Sequence, residues 1–205
     1  MPATRGRIDK RQAILDAAFT VFARDGYRPA SVDTVAATAG VAKHTIYNHF
    51  GDKQSLFRAA VAALADDSLA RNLTALEVLR ADRDPAEALT EVGLKLADCY
   101  CDEKSWALRR LLYAELASMP ELQDVIRDRA TDRVNDALAD RLARLALAGK
   151  LRITDPAVAA EQFGALLTAP LETRSRLGTR KIPARELAEV TQNAVQTFLR
   201  AFGSE

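Results

Sequence analysis

Residues 31–53 read SVDTVAATAGVAKHTIYNHFGDK, and this stretch decides the fold. Ser31 is a helix-capping residue type standing just before a periodic apolar run. Gly40 closes that run, and glycine takes the left-handed backbone of a tight turn at no steric cost. A second short helix is expected from about Ala42 to Gly51. Two short helices joined at a glycine predict a helix-turn-helix. Val32, Val35, Ala36, Val41, Ile46 and Phe50 supply its small apolar core. Lys43, His44, Thr45, Tyr47, Asn48 and His49 then occupy the other faces of the second helix. That is a dense hydrogen-bonding set for so short an element. A DNA major groove admits one α-helix, whose N-terminal residues meet base edges.

Outward from this stretch, the chain reads as helix nearly throughout, with glycine and proline as punctuation. A first helix is expected from about Asp9 to Arg24, ended by Gly26. Asp52 is expected to cap a long fourth helix reaching roughly Leu79. Asp84-Pro85 and Asp155-Pro156 each place a capping carboxylate before a proline at the first helical position. Further helices follow from Ser105 to Ser118, from Pro120 to Gly149, and from Pro183 onward. The fold class is therefore all-α with about nine helices. Domain boundaries are placed at 1–53 for the head and 54–205 for the rest.

Composition excludes several classes. The 205 residues are 48% apolar and 28% charged, close to an average globular chain. Gln162 to Leu171 is among the longest uncharged stretches, and its ten residues fall short of the ~20 a membrane span needs. The opening MPATRGRIDKRQ has no apolar run after its charges, so no secretory leader is expected. Cys99 and Cys101 are too few and too close for a disulfide framework. A cytoplasmic location is expected. Residues 1–53 hold eight Lys/Arg against five Asp/Glu, and the remainder 21 against 23. A basic head on a slightly acidic body suits a phosphate-facing end.

The stretches ILDAAFTVFARDGY and SVDTVAATAGVAKHTIYNHFGDKQSLF resemble the N-terminal domain of TetR-type transcriptional repressors, through Tyr-x-His-Phe followed by Gly-x-Lys. PELQDVIRDRA, the Gly-Lys-Leu-Arg turn at 149–152 and DPAVAAEQFGALL are similar to an AefR-like C-terminal class of that family. The resemblance implies a DNA-binding head and a helical ligand-sensing and dimerisation domain. Lys43, His44 and Thr45 match positions touching bases or adjacent phosphates. Tyr47 and His49 match a phosphate-gripping pair, and Lys53 matches a phosphate clamp at the next helix start. Ser31 is counted with the DNA-binding set. Asn48 stands where the family often has an aromatic, and asparagine pairs bidentately with adenine. Arg5, Arg7, Lys10 and Arg11 form a candidate basic arm or a solvated tail. Core packing is the other reading of Tyr47.

No catalytic set, metal cluster or cofactor loop is expected. His44 and His49 are five apart and do not share a helix face as ligands four apart would. There is no Gly-rich phosphate loop and no Gly-x-Ser-x-Gly elbow. Tyr100, Trp106, Tyr113 and Phe163 are candidates for an apolar effector pocket, with ordinary core filling as the alternative. Pro170 is expected to kink its helix. Val190, Ala194 and Phe198 are expected at a homodimer interface. The functional expectation is a dimeric repressor on an inverted-repeat operator, released by a small apolar molecule. The alternative is a DNA-binding regulator controlled by a protein partner without a small ligand.

Overall fold

The computed structural model describes residues 3–204, with side chains from residue 10. The side chains of Arg5 and Arg7 lie outside the described residues. The helices run α1 Ala3–Asp25, α2 Val32–Ala39, α3 Lys43–Phe50, α4 Lys53–Leu76, α5 Pro85–Cys101, α6 Glu103–Glu115, α7 Glu121–Ile126, α8 Asp132–Leu147, α9 Pro156–Arg174 and α10 Ala184–Phe202. A π-helical turn, Arg127–Thr131, fuses α7 to α8, so the described residues form nine continuous helical rods. One isolated bridge pairs Leu151 with Gly203.

The caps form where the capping residue types predict them. The Thr34 N–H donates to the Ser31 hydroxyl at 3.0 Å, and the Glu87 N–H donates to the Asp84 carboxylate at 3.0 Å. Asp155 accepts from the N–H groups of Ala157 and Val158. Each such cap contributes about 1 kcal/mol by satisfying helix-end donors. α9 continues through Pro170 to Arg174.

The chain divides into two compact units. The first takes in the chain up to Asp66 together with Ala107–Arg127. Its core joins Ile14, Val21 and Phe22 of α1, Val35 of α2, Ile46 of α3 and Leu56, Phe57 and Val61 of α4. Phe22 and Phe57 meet edge-on at 5.0 Å, and Tyr27 lies 4.8 Å from Phe57. Leu108, Leu111 and Leu112 of α6, with Met119 and Leu122, complete the same cluster. Two polar links reinforce them. Arg58 pairs with Glu121, and Arg28 Nη2 donates to the Ser118 hydroxyl at 3.4 Å. The head thus extends beyond the expected boundary at residue 53. Its aromatic core recruits apolar residues from a distant segment that sequence proximity does not suggest.

The second unit comprises Asp67–Trp106 and the chain from Asp128 onward. Leu89 and Val92 of α5, Leu138, Leu142 and Leu145 of α8, Phe163 and Leu167 of α9 and Val195 and Phe198 of α10 share one core. Phe163 and Phe198 meet edge-on at 5.2 Å. A smaller cluster holds Ala97, Leu171, Ile182 and Val190, flanked by Tyr100 and Leu187.

This packing corrects the expectation for α10. Val190, Ala194 and Phe198 are 2%, 3% and 0% exposed within the single chain. The apolar stripe of α10 is consumed against α5 and α9, so these residues build the unit's own core and present no face to a second copy.

After α9 the chain makes a left-handed turn. Arg176, Leu177 and Gly178 have φ of 52°, 56° and 78°. The Gly178 N–H donates to the buried Ser175 hydroxyl at 3.2 Å. A Cβ at Gly178 would lie 2.5 Å from the Trp106 ring, so glycine is required for clearance as well as for backbone sign.

Candidate nucleic-acid interface

The α2–α3 corner is built by Gly40, at φ 65° and ψ 33°, with the Val41 N–H returning to the Ala36 carbonyl at 3.0 Å. Ile46 is the buried residue of α3, and Val41 and Phe50 pack against the same core. That anchor fixes the rotation of α3. Lys43, His44, Tyr47 and Asn48 are consequently exposed, with Thr45 and His49 half-buried. Tyr47 is 42% exposed, which places its ring on the surface rather than in the core. Ala42 offers no side-chain cap, leaving N–H groups at the front of α3 available to an outside acceptor.

Other members of the expected set are engaged within the fold. The Ser31 hydroxyl caps α2 and lies 2.8 Å from the Thr34 hydroxyl. Lys53 Nζ donates to the Arg28 carbonyl at 3.0 Å and sits 4.7 Å from the Tyr27 ring centroid. Burial there pushes the Lys53 ammonium below its ordinary range. The front of α4 is not a bare helix end. Asp52 already caps α4, accepting the Ser55 N–H at 2.6 Å. That bond holds its carboxyl below the usual value, and its negative charge occupies the helix end.

Two contacts escape sequence reading. Lys43 Nζ donates to Asp33 Oδ2 at 2.8 Å across the helix-turn-helix. Arg11 lies over the Phe50 ring at 5.3 Å, tying the end of the candidate basic arm to α3. Neither pair has a sequence signature, because each depends on how the helices cross.

The four candidate pocket aromatics do not converge. Phe163 is fully buried against Phe198. Tyr100 and Trp106 pair edge-on at 5.3 Å beneath the Gly178 turn. Tyr113 is 50% exposed and belongs to the first unit, because α6 is divided between the units after Trp106. Neither Cys99 nor Cys101 forms a disulfide, and burial pushes the Cys99 thiol up, away from thiolate reactivity. No group of three or more metal-ligating side chains clusters among the described residues. No helix among them is long and apolar enough to cross a membrane.

Residues 14–60 match the model of bacterial regulatory proteins of the TetR family. Residues 87–204 match the C-terminal domain of AefR-like transcriptional repressors. The chain belongs to the TetR family. Among curated TetR-family relatives, the transcriptional repressor Rv3405c of Mycobacterium tuberculosis is 31% identical over 195 residues, covering 95% of this chain and 91% of that protein. A solved TetR-family regulator from Mesorhizobium loti superposes with a TM-score of 0.88 at 27% identity, covering 97% of this chain and 98% of that one. The flavonoid-responsive regulator FrrA superposes at 0.77 with 26% identity, covering 96% and 98%. This TetR-family chain is thus a DNA-binding transcriptional regulator of the repressor type and not an enzyme.

Proposed function

We propose that the chain acts in the cytoplasm as a homodimeric repressor, setting one α3 into each half of an inverted-repeat operator and leaving it when a small molecule occupies the second unit. The observation that carries the DNA reading is the exposed row Lys43, His44, Tyr47 and Asn48, held by buried Ile46. Thr45 and His49 flank it at half burial. Lys53 joins the contact set once it leaves the Arg28 carbonyl for a phosphate, and Ser31 contributes by holding α2.

Dimerisation is supported by the outer face of α9. Val158, Gln162, Ala165 and Ala169 are exposed at spacings of three and four, and Glu161 is the one charged residue between Pro156 and Leu171. Depletion of charge is what the core of an interface requires. Two-fold pairing of such a face gives the symmetry an inverted repeat mirrors.

Effector control is supported by FrrA, whose name describes a response to flavonoids. Within this chain Tyr100 and Trp106, rather than the wider quartet, lie together, and because Trp106 is buried an apolar or aromatic ligand would enter by displacing the packing around that pair. The chain passes from one unit to the other inside α4, after Asp66, which supplies a continuous helical route for coupling.

The test is footprinting of the full chain on its own upstream DNA, followed by calorimetry with a flavonoid with and without the protected duplex. A protected inverted repeat and weaker flavonoid binding on DNA support the reading, since coupling must be reciprocal. Protection without two-fold symmetry overturns the dimer. Equal flavonoid affinity in both titrations eliminates flavonoid control.

A further inference from the structure

The Lys43–Asp33 pair is unexplained by stability. Lys43 is the first residue of α3, and Asp33 stands in the first turn of α2. Their side chains are 48% and 68% exposed, and an exposed ion pair contributes little against water. The pair nevertheless fixes a long, flexible side chain on the face that turns toward DNA. It also places a carboxylate where phosphates would repel it. Within a groove such a carboxylate needs a base-edge donor.

We propose that Asp33 and Lys43 act as one unit that reads a G·C base pair in each half-site. This rests on the reading that α3 enters the major groove. Base-edge donors there are the amines of cytosine N4 and adenine N6. A lysine beside the carboxylate needs acceptors adjacent to that amine. In a G·C pair, guanine O6 is the hydrogen-bond partner of cytosine N4, so the two sit about 2.9 Å apart. That spacing matches the 2.8 Å between Lys43 Nζ and Asp33 Oδ2. Guanine N7 gives the ammonium a second acceptor. An A·T pair offers adenine N7 alone on one side of its amine, and on the other an O4 flanked by the apolar thymine methyl. Asp33 therefore aims Lys43 at guanine and accepts from the paired cytosine. The carboxylate also holds the Lys43 ammonium above its ordinary range.

The experiment is selection of bound duplexes from a random DNA library with the full chain, as wild type, Asp33→Asn and Lys43→Gln. Competition anisotropy on the selected sites follows. Wild type is expected to return one invariant G·C pair per half-site that both variants relax by at least about fivefold, the lower end for one lost base contact. The other positions should not change. Asp33→Asn returning the wild-type motif, with affinity rising equally for all sequences, would overturn the proposal and leave Asp33 as a repulsive charge. Both variants relaxing an A·T position would overturn the base assignment. A folded wild type, by circular dichroism, that enriches no motif would overturn the groove reading itself.

Discussion

A Cβ placed on Gly93 of α5 would lie 2.7 Å from the Thr191 Cγ2 of α10, and 3.4 Å from Leu167 Cδ2. The two helices approach this closely because position 93 has no side chain. Thr191 is fully buried and donates its hydroxyl to the Leu187 carbonyl at 3.0 Å, so it has no room to retreat. Gly93→Ala should destabilise the chain by about 1–3 kcal/mol, the usual cost of overpacking. Adding Thr191→Ser removes the opposing methyl and should recover much of the loss. Urea denaturation of the single and double variants checks both.

Lys53 should show two separable effects. Losing its bond to the Arg28 carbonyl and its place over Tyr27 should cost Lys53→Ala roughly 1 kcal/mol in thermal unfolding. If the same ammonium reaches phosphate in the complex, the salt slope of operator binding should fall by about 2 for a dimer. A stability loss with an unchanged slope would assign Lys53 to the α1–α2 turn alone.

Association and folding should respond to different faces of the α9–α10 pair. Ala165→Glu places a charge on the exposed side of α9 and should shift sedimentation toward monomer while leaving the fold intact. Phe198→Ala hollows the core beside Phe163 and should cost about 3–5 kcal/mol. Dimers persisting in Ala165→Glu at micromolar concentration would move the interface elsewhere.

Asp102 predicts an acid-sensitive corner. Burial alone would raise its carboxyl, but the Ser105 N–H, the Arg71 guanidinium at 2.5 Å and the Ser105 hydroxyl outweigh it and hold the group below its ordinary value. The unfolded chain therefore takes up this proton first as pH falls. The stabilisation is complete above the unfolded carboxylate pKa, about 3.9, and is lost as pH drops through the lower folded value. Asp102→Asn should lower stability at pH 7 and flatten the acid limb. Parallel acid limbs in both proteins would refute the assignment.

Local signals in the chain are legible because they act within one helical turn. Ser31, Asp84 and Asp155 cap where a capping residue precedes a periodic run, and Gly40 turns where a left-handed residue is needed. The exposed row on α3 is legible for the same reason, since Ile46 marks the inward side. Contacts between distant segments are not. Apolar residues at 108–122 have the same periodicity whichever core they join, so their place in the head cannot be read from spacing. Val190, Ala194 and Phe198 form a stripe that fits an interface or a core equally well, and only packing against α5 and α9 decides it. Arg11 over Phe50 and Lys53 at Arg28 depend on crossing geometry that no linear pattern encodes.

The inclusion of Ala107–Arg127 in the first unit has a consequence for how such regulators exchange parts. A recombination joining the first 53 residues of this chain to another regulator would not transplant a self-sufficient reading head. Ile14, Phe22 and Ile46 would meet foreign α4, α6 and α7 segments, and any departure there from Phe57, Val61, Leu108, Leu111, Leu112 or Leu122 would leave a hole or a clash beneath the recognition helix. Operator preference and the 107–127 segment are thus inherited together, although forty residues of the other unit separate them in the chain. Hybrids retaining both pieces should keep the parental DNA motif, whereas those cut once after residue 53 should lose it.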